Sequence, residues 1–320
     1  MRVLVTGGAG YIGSHMVQAL AERGDEVTVL DDLSTGHADA VPAGRFVRGD
    51  IADVSATAQL LKGMDAVIHF AASSLVAESV ADPLKYYTRN VAGTAALLRA
   101  MRDAGVEKIV FSSTAATYGN PVRTPIDEAH PTQPVNPYGA TKLAVERMLA
   151  DCSAAYGLRA VSLRYFNAAG ADPRGHLGER HNPETHLIPL VLQAAAGRRP
   201  SVSVYGNDYP TRDGTCVRDY IHVVDLCDAH VRALEWLKQG KCDVFNLGNG
   251  DGATVLEVIE AAKKVTGRSI AVQMAPRRAG DPPSLVADAT KARRVLGWEP
   301  RHKDIEGIVR DAWRWEQAQS

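Results

Sequence analysis

The chain of 320 residues has only four cysteines, five phenylalanines and almost no net charge, and each scarcity closes off a class of protein. Cys152, Cys216, Cys227 and Cys242 are too few and too scattered for a disulfide framework or a CxxC metal site, so reduced structural thiols are expected. Against 37 acidic side chains stand 36 basic ones, a net charge of −1 that leaves no global field to hold a polyanion. Neither a nucleic-acid partner nor a membrane partner is therefore expected. No run approaches the roughly 18 to 20 apolar residues that span a bilayer. The opening MRVLVTGG lacks the charged, long-apolar and cleavage regions of a signal peptide, and the expected location is the cytoplasm.

What is present is the composition of a folded globule, 45% hydrophobic and 23% charged, long enough for one large domain or two coupled ones. Short β-branched runs (RVLVTG, EVTVLD, RFVRGD, DAVIHFAA, KIVFSST, RAVSLRYF) alternate with Ala/Leu-rich stretches at helical period. That alternation predicts a parallel sheet covered by helices, with near-continuous apolar strands buried on both faces. Helices are predicted over 90–102 and 138–156, each closed by a glycine, Gly105 or Gly157. After Asn167 the texture turns to AAGADPRGHLGERHNPETH, which is loop material. The boundary is placed there: a first domain over 1–168 and a smaller α+β lobe over 169–320, some segments of which are expected to return to the first. Within that lobe, helices are predicted over 187–196, 224–238, 255–266 and 290–296, and strands over 202–205, 244–247 and 270–274.

Residues 3–20, VLVTGGAGYIGSHMVQAL, place Gly7, Gly8, Gly10 and Gly13 between a strand and a helix. In that context missing side chains let backbone amides approach a pyrophosphate at the positive helix end. The fold class is therefore α/β, a doubly wound parallel sheet of the Rossmann kind. Asp31 ends the second strand 18 residues beyond Gly13, where a carboxylate accepts from ribose hydroxyls and repels a 2′-phosphate. Asp32 reinforces it, so the cofactor is expected to be NAD. Asp50 and Ile51 are candidates for the adenine edge, and Phe70, Ala71 and Ala72 end the fourth strand at the carboxyl edge of the sheet. His69, inside an apolar run, reads as a satisfied core histidine.

Tyr138 and Lys142 lie four residues apart, on one face of a helix. A neighbouring ammonium and a positive nicotinamide would together lower the phenol from its usual pKa of roughly 10 toward neutrality, making it a base. Taken with the glycine turn, the acidic strand end and the strand KIVFSSTAATYG, this order resembles the extended short-chain dehydrogenase/reductase family. The resemblance implies a catalytic set of Thr114, Tyr138 and Lys142, with Ser112 and Ser113 as strand-end polar residues outside the chemistry. It also implies cofactor contacts from Tyr11, Ile12, Leu33, Ser34, Thr35, Gly36, Ser73, Ser74, Asn90 and Phe166, beside the residues named above. Tyr165 is expected to pack near Phe166.

Further segments, NVAGT, RYFNAAGA, GTCVRDYIHVVDL, FNLGNG and RRAGD, extend the likeness over essentially the whole chain, toward the branch that inverts C4 of UDP-hexoses through a 4-keto intermediate on tightly bound NAD. Thr114 is followed by Ala115 and Ala116, where dehydratases of the family carry an Asp-Glu pair, so elimination of water lacks its acid and base. The UDP-hexose grip implied by resemblance is Asn167, His186, Leu187, Ser203, Tyr205, Arg218, Arg278, Asp281 and Leu285. Asp32, Ser74 and His186 depart from the usual asparagine, lysine and asparagine. Leu285 stands where some relatives have a bulky tyrosine, so N-acetylhexosamines are expected to fit. Alternatives are an epimerase of another UDP sugar, N-acetylhexosamine or glucuronate, a net dehydrogenase, or an NAD-binding scaffold or sensor without chemistry. A homodimer through a four-helix bundle is implied, with Leu97, Met101, Met148 and Leu149 facing away from the sheet. His176, His181 and His186, spaced by five in a loop, match no zinc pattern, and no metal is expected.

Overall fold

The computed structural model describes residues 1–278 and 280–319. Seven strands form one parallel sheet: β1 (Arg2–Thr6), β2 (Glu26–Asp31), β3 (Arg45–Arg48), β4 (Ala66–His69), β5 (Lys108–Thr114), β6 (Arg159–Tyr165) and β7 (Cys242–Leu247). Their order across the sheet is β7-β6-β5-β4-β1-β2-β3. The winding reverses between β1 and β4, and the carboxyl ends of those two strands therefore open a crevice. The amides of Phe70 and Ala71 both donate to the Thr6 carbonyl, which holds the start of the crevice closed at its floor.

Helix α1 (Tyr11–Glu22) packs with α4 (Val223–Trp236) on one face, and α2 (Gly93–Ala104) and α3 (Pro137–Tyr156) cover the other. Met16, Val17 and Leu20 meet Leu226, Ala229 and Ala233 against Val3, Val5 and Val29. Both predicted glycine caps hold: Gly105 has φ 73° and Gly157 φ 80°, a left-handed geometry that a side chain resists. The helix predicted over 90–102 begins as a π-helical stretch, Tyr87–Ala92, and continues as α2.

The strand foreseen over 244–247 starts at Cys242 and pairs in parallel with β6, so a segment from the second part of the sequence completes the first sheet. A different expectation changes. Leu97, Met101 and Leu149 do not face away from the sheet. They are fully or almost fully buried with Leu4, Val67 and Ile109, and Met148 packs against the same cluster, because this stripe of α2 and α3 covers β1, β4 and β5. His69 is the core histidine foreseen: Nδ1 meets Thr6 Oγ1 at 2.7 Å and Nε2 meets Thr94 Oγ1 at 2.9 Å, and burial lowers its pKa to about 3.

The remaining residues build a third core, where the helices Leu187–Ala195, Val255–Thr266 and Ile305–Ala318 pack together beside the parallel pair Val202–Tyr205 and Val272–Ala275. Among the described residues no helix is long and apolar enough to cross a membrane.

Candidate active site

Helix α3 is started by Asn136, whose side chain accepts from the Gly139 amide at 2.8 Å, with Pro137 in the first turn. Gly139 matters for a second reason. A Cβ there would sit 2.4 Å from the Ala116 carbonyl oxygen, so only glycine lets the first turn of α3 dock on the turn after β5. That approach brings Tyr138 to the end of β5, close enough to Thr114 for that hydroxyl to pull its pKa down. One turn further along α3, buried Lys142 donates from Nζ to the Ser112 carbonyl at 2.8 Å, over the Phe111 ring at 4.8 Å and 5.9 Å from the Tyr138 ring centroid. Thr114, Tyr138 and Lys142 thus converge.

Their electrostatics are less simple than the sequence suggests. Burial is the larger influence on Tyr138 and raises its pKa, with the Thr114 hydroxyl pulling it back. Lys142 is itself lowered to about 7 by burial, against an upward pull from Glu146. In the chain alone, burial thus outweighs the pull of Thr114 on the phenol, and the lowering expected from the sequence calls for the positive nicotinamide as well as the ammonium.

Behind the trio lies a network that the motif reading missed. Glu146, four residues beyond Lys142, is gripped by Arg164 Nε at 2.9 Å and Nη2 at 2.5 Å and accepts from Ser113 Oγ. Arg164 Nη1 also reaches the Tyr118 hydroxyl at 2.9 Å, which donates to Asn246 Oδ1 at 2.6 Å on β7. The Glu146 and Arg164 side chains are 5% and 7% exposed, so both charges are effectively out of water. The recurrence of a polar residue at i+4 on α3 was the available signal for Glu146. Tyr165 lies close by, its hydroxyl hydrogen-bonded with Ser112 Oγ, and it packs against the cluster of Val161 and Leu163, whereas Phe166 joins Ala115 and Tyr118, so the expected pairing of the two is not seen.

The glycine turn has the shape of a phosphate cradle. Gly7 adopts φ 73°, and a Cβ on it would lie 2.6 Å from the Ala71 amide nitrogen; a Cβ on Gly13 would lie 2.1 Å from the Gly7 carbonyl oxygen. Side chains are thus excluded where the turn, β4 and α1 meet. Gly10 caps α1 without a side-chain acceptor, leaving the amides at its N-terminus to a ligand, with Tyr11 and Ile12 in that first turn. A cavity of about 280 Å³ opens there, lined in part by Gly10, Tyr11, Ser14, Thr35 and His181. A larger one, about 580 Å³, lies against Asp251 and Glu260 and touches none of the candidate residues.

Asp31 accepts from the Ala9 amide at 3.0 Å and the Leu33 amide at 2.8 Å, and burial raises its pKa against those bonds. It therefore ties the glycine turn to β2. Leu33 has φ 61°, the one positive value for a non-glycine among the described residues. Asp32 accepts from Ser34 and pairs with Arg89 at 3.0 Å, a partner that nothing in the sequence flagged. The cation offsets Asp32, so exclusion of a 2′-phosphate rests mainly on Asp31. Gly36 lies against Ala9, Asp50 caps its own turn by accepting from Ala52, and Ile51 is buried against Gly93. Asn90 is a buried brace: it accepts from Ser73 N at 2.8 Å and donates to the Ser73 carbonyl and Thr141. Ala72 lies partly covered on the same segment, Ser74 is exposed, Phe70 tilts against His230, and Phe166 packs with Leu285 beside Ala115.

The sugar-nucleotide candidates fall into three groups. Arg218 reaches Asp281 at 3.3 Å, and Leu285 is the strand partner of Arg218; Asn167 donates to the Asp219 carbonyl alongside. Arg278 stacks 3.8 Å over the Tyr205 ring, with Ser203 two residues earlier on the same strand, so one face of that ring is already covered. His186 and Leu187 begin the helix Leu187–Ala195, and His186 Nδ1 faces Glu179 at 2.7 Å and Glu184 at 3.2 Å. His181 turns to the same two carboxylates, whereas His176 pairs with Asp172. Spacing between histidines alone could not reveal the two interleaved glutamates.

Residues 3–248 match the model of the NAD dependent epimerase/dehydratase family. The UDP-glucose 4-epimerase of Halalkalibacterium halodurans is 57% identical over 98% of this chain and 95% of its own length. The crystal structure of the UDP-glucose 4-epimerase from Brucella ovis in complex with NAD is 53% identical, with a TM-score of 0.96, over 98% of this chain and 97% of that one. The enzyme from Bifidobacterium longum, solved in complex with NAD+ and UDP, is 39% identical, with a TM-score of 0.94, over 99% and 98% of the two chains.

Proposed function

The chain belongs to the NAD dependent epimerase/dehydratase family, and from that premise we infer that it interconverts UDP-glucose and UDP-galactose by inverting C4 on bound NAD. The observation that carries the reading is the convergence of Thr114, Tyr138 and Lys142 at the end of β5, beside Ala115 and Ala116 where elimination would need acid and base. Side chains barred at Gly7 and Gly13, bare amides at the start of α1 and the Asp31 carboxylate fit a dinucleotide. NAD held by the glycine turn and Asp31 would supply an acceptor and donor of hydride for C4.

The chain's residues do the rest. Thr114 holds the 4-oxygen through its hydroxyl, and Tyr138 takes the proton from that oxygen and later gives it back. Lys142, fixed by the Ser112 carbonyl, supplies positive charge beside the phenol. Inversion also requires the hexose to turn while its nucleotide stays put, so binding energy belongs on UDP. In this reading Arg218 and Arg278 meet the diphosphate, Asp281 and Asn167 meet ribose and nearby oxygens, and Leu285 borders the sugar. Residues 1–168, completed by β7 and α4, hold the dinucleotide, and the remainder of 169–320 holds the UDP-sugar. The test supplies UDP-galactose without added cofactor to purified protein. Many turnovers per active site are expected; a single turnover with release of reduced cofactor, or none, overturns the reading. Running UDP-N-acetylgalactosamine and UDP-galacturonate in parallel decides the sugar, and the expected order places the N-acetyl substrate as accepted and the uronate as poor.

A homodimer through the outer faces of α2 and α3 is part of this proposal. Those faces expose small residues, Ala92, Ala95, Ala150 and Ala154, next to exposed Val80, Leu84 and Tyr87 on the preceding helices. Sedimentation equilibrium is expected to give twice the chain mass, and monomer at all concentrations removes the dimer.

A further inference from the structure

We propose that Glu179, His181, Glu184 and His186 form a site for one divalent transition-metal ion, zinc foremost, which pins the segment entering the helix Leu187–Ala195. The proposal does not rest on the reading of the catalytic trio. Each residue offers one ligand atom, and the four atoms lie within 4.8 Å of one another. Both imidazoles present Nδ1: His181 stands 3.0 Å from Glu179 Oε1 and 3.7 Å from Glu184 Oε2, and His186 stands 2.7 Å and 3.2 Å from Oε1 of the same two residues. An ion about 2 Å from each ligand in a tetrahedron sets ligand atoms roughly 3.3 Å apart; Glu179 Oε1 stands 3.0 and 2.7 Å from the two imidazoles, Glu184 reaches each of them with a different oxygen, and the four ligand atoms as a set spread no further than 4.8 Å.

The ligands are held before any ion arrives. The two carboxylates are 7% and 6% exposed, while the imidazoles are 28% and 50% exposed, so the carboxylates form the floor and the rings the rim. Glu184 Oε1 accepts from the amides of Thr185 and His186 at 2.6 and 2.8 Å, which fixes that carboxylate as an outer shell would. Trp315 Nε1 donates to the Glu179 carbonyl at 3.0 Å, and the Trp315 ring lies over Gly178, where a Cβ would meet it at 2.2 Å. On the other side, Arg180 clasps Asp39 and its carbonyl meets His37 Nε2 at 3.0 Å. The stretch that carries the four ligands is thereby anchored to both parts of the molecule, and the His181 ring sits edge-on to Tyr11 of the glycine turn at 6.3 Å.

Two imidazoles with two carboxylates suit zinc or cobalt; magnesium and calcium prefer six or more oxygens. All four ligands come from the protein, the pattern of a closed structural centre. Occupation requires each Nδ1 to turn its lone pair to the ion, so any proton held there moves to Nε2 or to solvent.

The experiment uses the full chain, free of any affinity tag and dialysed against EDTA. Titration with cobalt(II) is expected to raise a tetrahedral visible absorption band that saturates at one equivalent per chain and is bleached by zinc but not by magnesium, and zinc is expected to raise the melting temperature. His181→Asn is expected to weaken cobalt binding by roughly tenfold or more and to abolish the zinc-dependent rise. Glu184→Gln is expected to do the same, with circular dichroism of both metal-free variants matching the parent. Absence of stoichiometric uptake overturns the proposal. So does uptake that survives in the double variant His181→Asn/His186→Asn, because it would place the ion elsewhere.

Discussion

Tyr138→Phe is expected to lower kcat by about 10²- to 10⁴-fold, the usual contribution of a positioned acid–base group, while leaving the KM for UDP-galactose within a few-fold of the parent. The change deletes one oxygen. The Asn136 cap, the docking of Gly139 on Ala116 and the edge contact with the Tyr86 ring at 6.4 Å all survive it. The bound dinucleotide, released by acid and quantified by absorbance, is therefore expected to match the parent. A phenylalanine variant that turns over at the parental rate would remove Tyr138 from the chemistry. One that loses its dinucleotide would move the residue's role to cofactor binding.

The largest effect on stability is expected at Glu146. Replacing it by glutamine leaves the Arg164 guanidinium buried without a counter-charge, a loss of about 3–5 kcal/mol by denaturant unfolding. The surface pair between Arg23 and Glu235, 31% and 39% exposed, is the contrast, and Glu235→Gln is expected to cost under about 1 kcal/mol. A double variant, Glu146→Met with Arg164→Leu, is expected to recover most of the loss, since it removes both desolvated charges together. Equal losses at Glu146 and Glu235 would mean that the buried pair carries no special weight. Glu146→Gln has a second consequence, because Glu146 is the group that holds the Lys142 ammonium up against burial.

The convergence of Thr114, Tyr138 and Lys142 was legible in the sequence because each part stands in a recognisable local setting. Tyr138 and Lys142 share one turn of helix, the glycines stand directly behind a strand, and Asp31 ends the next strand. What escaped depends on pairs formed across elements. Arg89 meets Asp32 from 57 positions away, and Arg164 on β6 meets Glu146 on the helix packed over it. Leu97 and Met101 show the limit of helical periodicity, which finds an apolar stripe without saying whether it covers this chain's sheet or another copy. Tyr138 shows a different limit: spacing supplies a neighbouring ammonium but is blind to burial, which acts on both groups and here outweighs their proximity. The loop histidines were weighed by their own spacing, which does not register that Glu179 and Glu184 bring ligand-type atoms within 4.8 Å of those of His181 and His186.

The placement of β7 bears on how the molecule is made. A nascent chain released through Tyr165 holds six strands in a row, with the outer backbone of β6 bare and ready to pair with any stray strand. Its proper neighbour is not complete until Leu247, when about half of the second part has been synthesised, and Asn246 on that strand also anchors the Tyr118 hydroxyl. The nucleotide-holding half therefore cannot mature ahead of the rest, and truncation after the apparent boundary yields an unfinished sheet rather than an autonomous piece.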